Sequence, residues 1–336
     1  MELRADFIYW LRRRRADLVT GAERDAAFAL LGLDDDNLSR WQAASAQVTS
    51  LPHASPNVFF PRVGVAWYAR HLQHQDPDLF HLRVVLTHVN FSDLGWRPYA
   101  WWYLDGAGDL CRSVQFTRNK KLKHVVVGSQ GPLPEVPAGL SGTHAGAARL
   151  AREAGDRAVS YMLLMAAEER AAGLTTAGRT VYLPLSLLVE YARTAADGTR
   201  PESRWLAALI DAAAGRRITP DGLLTPVVDP RKADVLDNAA NIALLALLGE
   251  QQVIGGAKMA AYWQEIEQRC RQADAVGGDL PTPPRMLRLP EVSYAECVAP
   301  GARLAPQLAA AGIGYSQGMA LVEHGRFAER HDPFSR

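Results

Sequence analysis

One strand-like segment ends in side chains of the types that proton transfer needs. In His81-Leu82-Arg83-Val84-Val85-Leu86-Thr87-His88-Val89-Asn90, the residues Leu82, Val84 and Leu86 alternate onto one face, and His88 and Asn90 continue that face toward the segment's end. A strand face that passes from aliphatic groups to an imidazole and an amide commonly borders a cavity. The unperturbed imidazole pKa of about 6.5 suits a general base near neutral pH. Asp93 follows as its orienter or acid partner, and Arg97 as a substrate-binding cation from the next loop. The competing account is a histidine bonded to backbone at a strand end.

Two serines compete as nucleophiles. Gly314-Tyr315-Ser316-Gln317-Gly318 has G-x-S-x-G spacing, in which the glycines permit a tight strand-to-helix turn that exposes the serine. These five residues resemble the elbow of serine esterases, cutinase-like ones included. The resemblance implies Ser316 as nucleophile, with a histidine to take its proton, an acid to orient that histidine, and oxyanion donors. It covers those five residues alone. The preceding Leu308-Ala309-Ala310-Ala311-Gly312-Ile313 is a weak strand, and His324 follows too closely for the usual triad order. Val125-Val126-Val127-Gly128-Ser129-Gln130-Gly131 offers Ser129 better context after a strand but lacks the spacing. For both serines the alternative is a glycine turn.

Asp234, Asn238 and Asn241 fall at i, i+4 and i+7 in a helical reading of 232–248, a polar line on an otherwise aliphatic helix. Buried asparagine needs partners, so this line is a candidate for binding ligand hydroxyls or phosphates, with solvent or neighbouring loops as the alternative. His71, His74 and His81 lie close in sequence to Asp76 and Asp78, but their spacing matches no metal motif. No metal ligand and no cofactor is assigned. A glycine-rich dinucleotide fingerprint, a phosphate-binding loop with its lysine and zinc-finger spacing are all missing.

The elements that must position these residues read as helix, then sheet, then helix. Residues 1–79 are read as a helical N-terminal part, with Gly32 ending one helix and Asp34 to Asp36 capping the next. Residues 80–130 carry the strand-like alternation and read as a small antiparallel sheet. Residues 140–336 read as a helical C-terminal part, with helices expected at 143–173, 183–196, 203–214, 232–248 and 256–273 and a proline-rich crossing at 281–290. The expected fold is α+β, predominantly helical around one small, mostly antiparallel sheet and packed as one compact unit.

Composition narrows the function classes. Across 336 residues, 37 basic and 36 acidic side chains nearly cancel, which argues against a nucleic-acid binder. The cysteines at 111, 270 and 297 are too scattered for a disulfide framework, which favours a cytoplasmic setting. No apolar run reaches membrane-spanning length. Phe7, Ile8, Tyr9 and Trp10 precede Arg12 to Arg15, the reverse of a secretory signal, and read as a helix with its apolar face in the core. The expectation is a soluble hydrolase or other acid/base enzyme acting on a small or medium polar substrate. The alternative is a non-catalytic interaction or accessory protein that offers the N-terminal aromatic and basic helix and the aromatic sheet to a protein partner. No sequence feature sets the oligomeric state.

Overall fold

The computed structural model describes residues 2–54, 62–88, 100–104, 110–114, 124–126, 142–154, 156–171, 173–249, 251–255, 259, 263–277, 282–290 and 328–329. In chain order the elements are α1 (Glu2–Arg14), α2 (Arg24–Leu31), α3 (Asp35–Ala43), β1 (Ala46–Ser50), α4 (Arg62–Gln75), β2 (Leu79–Val85), β3 (Ala100–Leu104), β4 (Leu110–Val114), α5 (Gly142–Glu153), α6 (Arg157–Ala171), β5 (Thr180–Pro184), α7 (Leu185–Ala196), α8 (Pro201–Asp211), β6 (Arg216–Ile218), β7 (Leu224–Pro226), α9 (Asn238–Ala243), β8 (Gln252–Gly255), α10 (Trp263–Gly277), β9 (Arg285–Arg288) and β10 (Ala328–Glu329).

Five of the strands form one sheet in the spatial order β5-β2-β1-β8-β9, and every neighbouring pair in it is parallel. The chain starts at the centre, moves outward through β2 to β5, and returns to the other side of β1 for β8 and β9. β3 and β4 do pair antiparallel, with Trp101 opposite Ser113, and β10 runs parallel to β4. β6 and β7 make a short antiparallel hairpin. The α+β expectation with one small antiparallel sheet is therefore overturned. The protein is mixed α/β, and its main sheet is parallel.

The reason lies in burial. A parallel strand covered on both faces has no exposed face, so it shows no polar/apolar alternation. Adjacent residues of β2 and β8 go to different cores: Phe80 and Val253 join the large cluster, while Leu79 and Ile254 join a smaller one with Val48 and Ala69 of α4. β1 is harder still to read, because Gln47, Thr49 and Ser50 are polar and yet buried. Trp41 Nε1 donates to Gln47 Oε1 at 2.9 Å, Gln47 Nε2 donates to the Leu248 carbonyl, and the Thr49 hydroxyl donates to Gln251 Oε1. Those bonds replace water, so the strand can sit at the centre of the sheet.

Other boundaries follow from local caps. Gly32 closes α2 at φ 68°, with Leu33 N bonded to the Phe28 carbonyl, and the Asp34 side chain accepts from Asn37 N to start α3. The expected helix over 143–173 breaks where Asp156 Oδ1 accepts from Ala158 N at 2.6 Å and restarts the chain as α6. The expected helix over 232–248 starts later: Asp237 caps α9 through Ala240 N, and a 3-10 turn, Leu244–Leu248, completes the segment. The expected proline-rich crossing contains β9.

α1 turns its apolar face into the core. Phe7, Ile8 and Leu11 have no exposure, and the Phe7 ring meets Trp10, Trp41 and Tyr191 at centroid distances of 5.1–6.1 Å. Its arginines are engaged as well. Arg12 and Arg15 pair with Asp35, Arg14 pairs with Asp17 and Glu190, and Arg13 lies over the Tyr9 ring. Among the described residues, no helix is long and apolar enough to cross a membrane.

Candidate functional site

The carboxyl ends of parallel strands are where open α/β sheets place their ligands. β2 is held there by its neighbour's extension: Leu86 N donates to the Pro52 carbonyl at 2.8 Å, and Ala54 N donates to the Leu86 carbonyl at 3.0 Å. Thr87 is buried beyond this pair, its hydroxyl 3.4 Å from Ser186 Oγ. His88 follows, half-buried.

β5 passes directly into α7, with Pro184 as the N-cap and no side-chain cap bond. Leu185, Leu188 and Ala192 of α7 are buried. Ser186, Val189, Glu190, Arg193 and Thr194 fall at i, i+3, i+4, i+7 and i+8, and this second stripe lines a cavity of about 490 Å³. His88 lines it from the end of β2, and Ile218 and Asp234 close it from the β6 side. Asp234 is fixed in place by β6: its Oδ2 accepts from Ile218 N at 2.8 Å, and its own N–H donates to the Arg216 carbonyl at 2.8 Å.

His88 is held as a neutral imidazole. Burial lowers its pKa from the usual value, while the carboxylates of Asp156 and Asp234 pull the other way. Glu190 is paired with Arg14 at 2.8 Å, and Arg193 Nη1 donates to the Ala233 carbonyl at 2.8 Å. Among the described residues the cavity thus offers an imidazole that can accept a proton, a serine hydroxyl at the start of a helix, the carboxylates of Glu190 and Asp234, and the Arg193 guanidinium.

The sequence-derived candidates separate in space. His88 and Asp234 share the cavity. Asn238 is exposed at the first position of α9. Asn241 is buried, with Nδ2 donating to the Leu236 carbonyl at 2.9 Å. Because α9 begins only at Asn238, Asp234 is not on a helix, and the three residues form no common line. Asp93, Asn90, Arg97, Ser129 and Ser316 lie outside the described residues. His71 stacks on Trp67 and meets Gln75, His74 is exposed, and His81 is buried in β2. Among the described residues, no group of three or more histidine, cysteine or acidic side chains could hold a metal ion.

Sequence reasoning missed Ser186, Glu190 and Arg193, whose signal was available as a polar stripe at helical spacing. It also missed the pairing of Ser50 and His81 across β1 and β2, with Ser50 Oγ 2.9 Å from His81 Nε2. Arg83 Nη1 donates to the same hydroxyl at 2.9 Å, and Arg83 forms an ion pair with Glu169 of α6. The Tyr182 hydroxyl donates to Glu169 Oε2 at 2.9 Å. Burial, aided by the Arg83 charge, holds the His81 pKa well below the ordinary value. Ser50, His81 and Arg83 have no solvent exposure, so this Ser–His pair joins β1, β2, β5 and α6 without meeting a substrate.

No protein-family model, curated protein or solved structure matches this chain.

Proposed function

We propose that this chain is an acid/base enzyme of the hydrolase class, acting on a small polar substrate bound in the cavity past β2 and β5. The observation that carries this reading is that His88 and Asp234 line one 490 Å³ cavity with Ser186 at the carboxyl edge of a parallel sheet. His88 is the general base, taking a proton from a water or from a substrate hydroxyl, and a neutral imidazole is the form that can do so. Asp234 stabilises the imidazolium that results. Ser186 is close enough to the same space to bind substrate or to serve as nucleophile. The volume lies within the range of small-molecule sites, about 300–1,000 Å³. A cytoplasmic setting belongs to the same reading, since buried Cys270 is a free thiol.

The test is a panel of chromogenic carboxylic esters, amides and phosphoesters, assayed with the wild-type chain, His88→Asn and Ser186→Ala. Loss of the base should lower kcat about 100-fold or more on any turned-over substrate. The wild-type kcat/KM should rise with pH with its midpoint below the ordinary imidazole value of about 6.5, because the base works deprotonated and its pKa is depressed. Equal turnover by wild type and His88→Asn sinks the proposal. A large loss in Ser186→Ala, together with a burst of leaving group in the wild type, assigns the serine as nucleophile, and an unchanged rate assigns attack to water.

A further inference from the structure

The charges around the cavity divide unevenly between protein partners and open space. Glu190 is bonded to Arg14, through Arg14 Nε to Glu190 Oε1 at 2.8 Å, and shares that guanidinium with Asp17. Arg193 and Asp234, both half-buried and lining the same cavity, form no ion pair with each other. Among the described residues Arg193 has no carboxylate partner, and its one hydrogen bond goes to the Ala233 carbonyl. Asp234 Oδ2 is taken by Ile218 N, while Oδ1 has no donor among the described residues. Elsewhere on this chain half-buried arginine is satisfied in both ways: Arg15 pairs with Asp35 and Arg269 with Asp237, whereas Arg170 bonds to the Ala29 carbonyl and Arg179 to the Gln73 and Pro77 carbonyls.

A partly desolvated charge without a counter-charge is unfavourable, and two opposite ones lining one cavity are satisfied together by a ligand that carries both signs. Burial favours the neutral His88 ring, against the pull of Asp156 and Asp234. Polyanions such as nucleotides fit poorly, since Glu190 and Asp234 line the cavity and Asp156 adds negative charge near His88.

We propose that this cavity selects a small zwitterion of the α-amino-acid kind, with its carboxylate on Arg193 and its ammonium on Asp234. His88 and Ser186 are then left to meet the reacting part of the molecule. The inference rests on the reading of this cavity as the substrate site, and its test separates the two.

Full-length protein with labelled histidine is followed by NMR, and the His88 ring signals are assigned by their loss in His88→Gln. The probes are the standard free amino acids, their Nα-acetyl derivatives, their carboxamides, and glucose and glycerol as neutral controls. A free amino acid should shift the His88 signals, and blocking either its amine or its carboxylate should weaken binding about tenfold or more. Arg193→Gln should erase the penalty for the amide, and Asp234→Asn the penalty for the acetyl group. Each variant's folding is checked by circular dichroism. If blocked derivatives bind as tightly as the zwitterion, or only neutral probes shift His88, the zwitterion proposal falls while the cavity remains the substrate site. If no probe shifts His88, the result counts against both.

Discussion

Arg83 and Glu169 face each other with no solvent exposure on either side chain, joined by Nε to Oε2 at 3.0 Å and by a second contact between Nη2 and Oε1. The pair is bidentate, and it is extended by Ser50 on the arginine side and Tyr182 on the carboxylate side. This geometry offsets the desolvation of both ions and locks β1, β2, β5 and α6 in one register.

Removing one member leaves the other charged and buried. Glu169→Gln should therefore lose about 3–5 kcal/mol of stability. The double variant Arg83→Met with Glu169→Leu should recover a large part of that loss, since neither ion is then left alone. Urea midpoints for the two variants check this. A Glu169→Gln protein that unfolds at the wild-type midpoint would show that Arg83 is compensated elsewhere.

Gly32 is a second point where the fold admits little change. At φ 68° it closes α2, and a Cβ there would collide with the Thr180 carbonyl and the Asn37 amide. The carbonyl belongs to β5 and cannot move away without disturbing the sheet. Gly32→Ala should cost at least about 2 kcal/mol, the left-handed backbone and the collision acting together. Gly146 of α5 is the control, because a Cβ there meets nothing within 4 Å. Gly146→Ala should stabilise by about 0.4–1 kcal/mol through helix propensity and a less flexible unfolded chain. Thermal melts of both variants decide it, and similar shifts in the same direction would refute the account of Gly32.

What could be read from the sequence followed from how much of each element faces water. α2, α3 and the face of α1 that carries Phe7 and Leu11 were legible from caps and helical spacing, and β3 with β4 from alternation. β1, β5, β8 and β9 were not. A strand such as Thr180–Pro184, with all its residues buried, shows no period of two, and it runs without a loop into α7. At the site, His88 stood out because its strand face changed chemistry there. Asp234 was singled out for a helical line that does not exist, since Asp237 starts the helix three residues later. Ser186 and Arg193 went unremarked because a stripe on a helix shows its purpose only when a second element faces it.

Acid should destabilise this protein through its histidines. His81 and His88 both have depressed pKa values in the folded chain, foremost because burial disfavours the charged ring. A depressed histidine binds its proton more readily in the unfolded state. Stability is then intact above the unfolded pKa of about 6.5 and falls as pH drops below it. Denaturant midpoints measured from pH 7.5 to pH 5 should decline. His81→Gln should flatten the decline more than His88→Gln, because His81 is the more deeply buried and the more strongly shifted. An equal slope in wild type and His81→Gln would remove His81 as the cause.

The electrostatics of the cavity can be measured at His88 itself. Burial pushes its pKa down, and the negative charges of Asp156 and Asp234 hold it up against that pressure. Asp234→Asn keeps a carbonyl oxygen that can still accept from Ile218 N, so the β6 contact survives while the charge is lost. The His88 pKa should then fall further below its wild-type value. Asp156→Asn should act in the same direction while weakening the start of α6, where Asp156 caps Ala158 N. Titration of the His88 ring by NMR in wild type and both variants gives the answer. A base whose proton affinity depends on Asp234 must lose activity at its low-pH limb last in Asp234→Asn, because the imidazole stays deprotonated to lower pH. If the His88 pKa is unchanged in Asp234→Asn, the carboxylate does not reach the imidazole, and the two residues line one cavity without acting on each other.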